Sequence, residues 1–188
     1  MSISKKTTDI SHYNVGNYQP KRGFVIRGLW FLVNILFFKS YIFPFYGFKR
    51  FLLRLFGAKV EKGVIIKPNV NIKYPWLLSI GSYTWIGESS WIDNLVQVQI
   101  GAHVCISQGA LLLTGNHNYK KVTFDLIPGE IILENGVWIG AKSVVCPGVT
   151  CFSHSVLSVG SVAVKNMEAY HVYQGNPATK VRKRLIKE

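Results

Sequence analysis

His117 lies in "LLLTGNHNYKK", residues 111–121, a polar stretch set between two regular apolar patterns. A neutral imidazole can take a proton from a hydroxyl at neutral pH, which turns a poor nucleophile into a usable one. The same ring could equally do no more than cap a turn. An imidazole that works as a base needs a partner on its second nitrogen to fix its tautomer. The chain holds only nine acidic residues, so the choice is short, and Asp93 and Glu88 are the preferred candidates. Asp93 and Asn94 together are also a pair well suited to turning a corner. His103 and His154 fall outward in the repeat described next and read as surface residues. The histidines and cysteines match no usual zinc spacing, so no metal is expected.

The elements that must position His117 are written as a period of six. Val60, Ile66 and Ile72 begin it, followed by Ile80, Ile86 and Ile92, then Ile100, Ile106 and Leu112. It resumes with Leu133, Ile139, Val145, Cys151, Leu157 and Ala163. Four positions after each of these as far as Leu157 the residue is small or β-branched, apart from Trp76 and Asn116. Glycine often follows the apolar residue directly, as at Gly81, Gly87, Gly101 and Gly140, and is expected to take positive φ at corners. Six residues fit no α-helical period but do fit a short strand plus a tight corner. Three hexads make one turn, with two extra residues at the same corner in each of the first coils. The reading is an all-β solenoid: a triangular prism of about five coils, spaced by strand pairing at about 4.8 Å. From Leu112 to Leu133 the chain advances 21 residues where six suffice. A loop over roughly 114–130 therefore leaves coil three, and long loops on rigid scaffolds are where function concentrates.

The organisation expected is a polar tail over 1–23, an apolar and basic helical segment over 24–58, the β-helix over 59–168 with its loop, and a basic segment over 169–188. The net charge of +13 calls for an anionic partner. No helix-turn-helix, zinc-finger or RNP pattern is visible, so nucleic acid is not expected. Three cysteines without close pairing argue against a disulfide framework and for a reducing, cytoplasmic compartment. The N-terminus has no signal-peptide core. "FVIRGLWFLVNILFF" is too short to span a bilayer and is followed by Lys49, Arg50 and Arg54 among aromatics. Two readings stay open for residues 24–56. One is a helix pair packed on the prism. The other is peripheral contact with the inner face of a membrane, apolar side down and basic residues toward lipid phosphates.

The hexads ending in "VWIGAKSVVCPGVT", with "IKYPWLLSIGSYTWIGESSWIDN", "CISQGALLLTGNHNY" and "YQGNPATKVRKR", resemble the hexapeptide-repeat acyltransferases, and among them the sugar O-acetyltransferases of the colanic acid biosynthesis type. The resemblance implies a left-handed parallel β-helix, a homotrimer with active sites between subunits, acetyl-CoA as donor and a sugar hydroxyl as acceptor. The apolar N-terminal segment adds a lipid-linked oligosaccharide as one form of that acceptor. His117 matches the family's catalytic base, with Asp93 beside it, and Glu88, Asn94 and Asn116 are candidates to shape the acceptor pocket. Ala141, Val159 and Gly160 would offer backbone to the pantetheine arm. Lys165 and a C-terminal base, Lys180 or Arg182, would meet the phosphates. Val164 stands where the family often has threonine, which removes one side-chain contact. Trp138 either lines the cleft or packs on a neighbour. Acetyl transfer to an amine of an amino sugar, and a solenoid that serves only as scaffold, are the alternatives.

Overall fold

A computed structural model describes residues 6–187. Three parallel sheets form the sides of a left-handed β-helix. The first side stacks Lys59–Val60, Leu78–Ile80, Val98–Ile100, Ile131–Leu133 and Thr150–Cys151. The second begins at Ile65–Ile66 and the third at Asn71–Ile72, each gaining one strand per turn. Residues of the hexad stack in register, with Val60 on Ile80, Ile80 on Ile100, Ile100 on Leu133 and Leu133 on Cys151. All fifteen hexad residues are buried and form one continuous column of core. Strands of two or three residues have little stability alone. Burial of each aliphatic side chain, worth about 1.5–3 kcal/mol, is what holds the turns together. Beyond the five coils read from the hexads, a sixth turn begins: Met167 bridges Cys151, and His171–Gly175 pairs with Val156–Leu157. The strand Ala178–Lys183 then folds back antiparallel and closes that edge.

The corners correct one expectation about glycine. The left-handed conformation falls three residues after eleven of the fifteen inward hexad residues, at Gly63, Asn69, Tyr83, Ser89, His103, Gly109, Gly136, Lys142, Gly148, His154 and Gly160, with φ of 55° to 79°. Gly81, Gly87, Gly101 and Gly140 are not in that conformation. They are glycines because the next coil lies against them: a Cβ on Gly81 would sit 2.5 Å from the backbone nitrogen of Ala102. The outward corner position explains His103 and His154 as well. His103 stacks on Tyr83 at 5.4 Å between ring centroids and His154 on Tyr170 at 4.8 Å.

Two helices close the N-terminal end of the column. α1 spans Phe24–Val33 and runs into a π-helical turn, Asn34–Phe38; α2 spans Tyr46–Leu55. Among the described residues no strand lies beneath the first coil, so its downward backbone groups need partners from elsewhere. Side chains of the helices supply them. Arg54 Nε donates to the Val60 carbonyl at 2.8 Å, and Arg50 Nη1 to that of Val64 at 2.8 Å. Lys49 Nζ donates to Ile66 and Lys67 carbonyls at 3.4 and 3.1 Å, and Trp30 Nε1 to Ile72 at 2.8 Å. Of the two readings open for residues 24–56, the geometry shows the helix pair packed on the prism, with Lys49, Arg50 and Arg54 turned onto its edge. No helix among the described residues is long and apolar enough to cross a membrane.

Candidate active site

The third side of the prism places the candidate groups. Its strand Trp91–Asp93 pairs with Leu111–Leu113, so that Asp93 lies directly below the residue from which the loop departs. Thr114 staples the departure point: its Oγ1 donates to the Asp93 carbonyl at 2.8 Å and accepts from Leu95 N at 2.8 Å. The loop then folds as a ribbon on itself. Asn116 and Ile127 exchange backbone hydrogen bonds, and Asn118 N donates to the Asp125 carbonyl at 2.8 Å. Lys121 and Thr123 bond to the Asp125 carboxylate and hold it below the usual carboxylate range, which pins the tip.

His117 sits on this ribbon, half-buried, with its backbone N–H held by Asn116 Oδ1 at 2.8 Å. The Phe124 ring stacks on the imidazole at 4.5 Å and 9°. The Phe124 carbonyl lies 3.3 Å from Nδ1. A carbonyl only accepts, so this contact places the proton on Nδ1 and leaves the Nε2 lone pair free. The partner that orients the ring in this chain is thus the backbone of its own loop, in place of Asp93 or Glu88. Asp93 instead carries Lys73 Nζ 2.9 Å from Oδ1 and lines the same cleft as His117, a space of about 350 Å³. Glu88 is exposed and lies outside that cleft.

Asn94 likewise does not line the cleft beside His117. It is fully buried, its Nδ2 donates to the Tyr74 and Leu77 carbonyls at 2.6 and 3.2 Å, and its Oδ1 accepts from Tyr74 N at 3.0 Å. It braces a corner. What the sequence reading did not find is the tail. Leu126 N donates to the Asn14 carbonyl and Asp9 N to that of Val122, so residues 9–14 run along the loop. Tyr13 comes within 5.6 Å of the imidazole, and Val15 and Tyr18 complete the wall. Aromatic residues inside an otherwise polar tail were the one available signal.

A second cleft, of about 640 Å³, runs along the second side. Trp138, Ala141, Val159 and Arg182 line it together, and Gly160 follows Val159 at the corner. Trp138 Nε1 donates to Ser107 Oγ at 2.9 Å, which fixes the indole as wall. Lys183 and Arg184 line the cleft as well. Lys165 lies beyond the strand Val162–Ala163 and outside the cleft, and Lys180 gives its ammonium to Glu168 at 2.8 and 2.9 Å. This lining suits a ligand with an apolar arm over corner backbone and anionic groups that meet the cations. Among the described residues no three His, Cys, Asp or Glu side chains gather as a metal site.

A triangular β-helix with one loop imidazole and a groove along a neighbouring side defines a class, the β-helical acyltransferases built from hexads. The chain belongs to the hexapeptide-repeat acetyltransferase family. It is 38% identical over 160 residues to the "Putative colanic acid biosynthesis acetyltransferase WcaF" of Escherichia coli (strain K12), covering 85% of this chain and 88% of that one. Among solved structures, the hexapeptide-repeat acetyltransferase VCA0836 of Vibrio cholerae complexed with acetyl coenzyme A superposes with a TM-score of 0.76 at 21% identity, over 86% and 88% of the two chains. A maltose O-acetyltransferase of Clostridium difficile 630 gives 0.76 at 19% identity, over 87% and 90%. No family model matches the chain.

Proposed function

We propose that the protein transfers the acetyl group of acetyl-CoA to a hydroxyl of a sugar used in polysaccharide or lipid-linked oligosaccharide synthesis, with His117 as general base. The observation that carries the reading is the imidazole whose Nδ1 lies 3.3 Å from the Phe124 carbonyl, with no hydrogen bond to Nε2 among the described residues. The relative WcaF is named for colanic acid biosynthesis, and VCA0836 holds acetyl-CoA, which supports a sugar acceptor and this donor.

Nε2 takes the acceptor proton as the hydroxyl oxygen bonds to the thioester carbonyl carbon. The carbon–sulfur bond then breaks and the imidazolium returns the proton to the departing thiolate. No acyl-enzyme is required when hydroxyl and thioester are held together. Asp93 and Lys73, on the floor of the cleft, would orient the sugar.

The His117 cleft and the Trp138 cleft share no lining residue and open on different sides of one prism. A site that contains both needs the loop of one subunit beside the second side of another, which favours a homotrimer. The outward residues agree with this arrangement. Trp85, Cys105 and Trp138 face out from the second side, and Trp91, Leu111, Val144 and Val162 from the third. The first side turns out Lys59, Ser79, Gln99 and Thr150, with Ile132 alone apolar.

A CoA-release assay against free sugars, amino sugars, nucleotide sugars and lipid-linked sugars tests the proposal. His117→Ala should lower turnover by about 10²–10⁴-fold with CoA binding and oligomeric mass unchanged. Full activity in that variant would remove the base assignment, and acetylation of amino sugars alone would replace the hydroxyl with an amine.

A further inference from the structure

The outer surface of the N-terminal cap has a composition unlike the rest of the molecule. α1 and its π-helical turn bury Trp30, Asn34 and Phe38 against the first coil. Their opposite face shows Phe24, Leu29, Phe31, Leu32 and Leu36, each more than half exposed, with no charged side chain among them. Ile42, at 91% exposure, and Phe45 continue it toward α2. A water-facing helix does not ordinarily keep such a face.

Charge decides between occupants. Residues 10–60 contain eight lysines and arginines and no aspartate or glutamate. Lys49, Arg50 and Arg54 are used on carbonyls of the prism, which leaves Lys21, Arg22, Lys39 and Lys59 exposed around the cap. A second copy of this cap would set like charges together, whereas an anionic bilayer meets both the apolar face and the cations.

The space beneath the face leads to the chemistry. A cleft of about 360 Å³ between α1 and the first coil is lined by Arg27, Phe31, Lys39, Lys73, Tyr74 and Asp93, among others. Lys73 and Asp93 also line the His117 cleft, so the two spaces meet at that ion pair. Four buried side-chain polar atoms lack an aligned hydrogen-bond partner among the described residues, and Tyr18 OH, Arg27 Nε and Asp93 Oδ1 are three of them. All three belong to residues that border this junction. Burial, with Tyr74 close by, pushes the Tyr18 phenol upward and keeps it a donor. Asp93 Oδ1 still faces the Lys73 ammonium at 2.9 Å, so Arg27 Nε and Tyr18 OH are the buried polar atoms left to a polar ligand at this place.

We propose that the apolar face of α1 and the π-helical turn seats the enzyme on an anionic bilayer, and that the cleft beneath it takes the phosphate-bearing head of a lipid-anchored acceptor. Arg27 and Lys39 meet the phosphate, and the sugar extends past Asp93 to His117. The membrane seat stands by itself; the identity of the head group rests on the sugar-transfer reading.

The full-length protein is sedimented with vesicles of phosphatidylcholine alone, with added phosphatidylglycerol, or with added prenyl diphosphate. Binding should follow phosphatidylglycerol and weaken with salt. Leu29→Ser/Leu32→Ser, at two exposed positions, should lower it about tenfold or more with oligomeric mass and thermal unfolding unchanged. Wild-type protein that ignores anionic vesicles, or a double variant that falls to a smaller oligomer, overturns the membrane seat; the second result assigns the face to another copy. Prenyl diphosphate in neutral vesicles should also recruit the protein, and Arg27→Gln or Lys39→Gln should abolish that recruitment. Equal recruitment in those variants, or competition by inorganic diphosphate as strong as by the prenyl compound, overturns the head-group site. None of these readouts uses acetyl transfer, so loss of the sugar-transfer reading in the CoA-release assay would be seen separately.

Discussion

The column and the loop that leaves it are built on opposite terms. In the column every inward position repeats, each side chain meets its own counterpart one coil away, and exposure of the hexad residues is near zero. In the loop nothing repeats. His117 is held by one carbonyl, one stacked phenyl ring and a tail from the far end of the chain. Under the proposed function the difference teaches that stability and chemistry belong to separate regions, so that one should be alterable with little effect on the other.

Substitutions should show the separation directly. His117→Ala, proposed above, has the largest expected effect, confined to turnover. Ile86→Ala, between Ile66 and Ile106 in the fully buried column, should lower unfolding free energy by about 2–5 kcal/mol in urea titrations. Activity per folded molecule should stay near wild type; a large loss there would show that the coils themselves tune the site. Tyr13→Ala removes a ring that touches the imidazole from the tail. Turnover should fall by about 2–10-fold, the scale of one aromatic contact, with the melting temperature unchanged. A Tyr13→Ala protein with normal turnover would make the tail a mere cover.

The smallest effect tests the cap. Burial lowers the Lys49 ammonium from its ordinary 10.5 to about 8. Between those values the unfolded chain binds the proton and the folded chain does not, so this residue makes stability rise with pH across that window. Below it both states are protonated and the contribution is flat. Lys49→Met should lose that rise when urea midpoints at the two ends of the window are compared, and a rise kept in the variant would assign it to another group.

The prism was legible because its code is local. Val60, Ile66 and Ile72 announce a side every six residues, and the 21-residue gap after Leu112 gave the loop its position. The glycines were legible as corners but not in their role. Gly81 and Gly101 answer to the coil stacked against them, and the left-handed residue of each corner is as readily Tyr83 or His154 as glycine. Asn94 looked like a pocket residue because Asn beside Asp suits both a site and a turn. Only its three hydrogen bonds to Tyr74 and Leu77 separate the two. The basic residues in α2 left packing on the prism and contact with lipid phosphates both open for a similar reason, since nothing in residues 46–55 announces that the first coil has carbonyls to fill.

The sequence by itself determined the column, its three sides, the place where it breaks and the imidazole at that break, because a repeating core writes its geometry into neighbouring residues. Only the tertiary structure decided what surrounds that imidazole. Tyr13, Lys73 and Asp93 reach the His117 cleft from separate parts of the chain, and Phe124 fixes its tautomer through a carbonyl that carries no side-chain signature. Such contacts follow from where coils and termini meet in space, and no period along the chain encodes them.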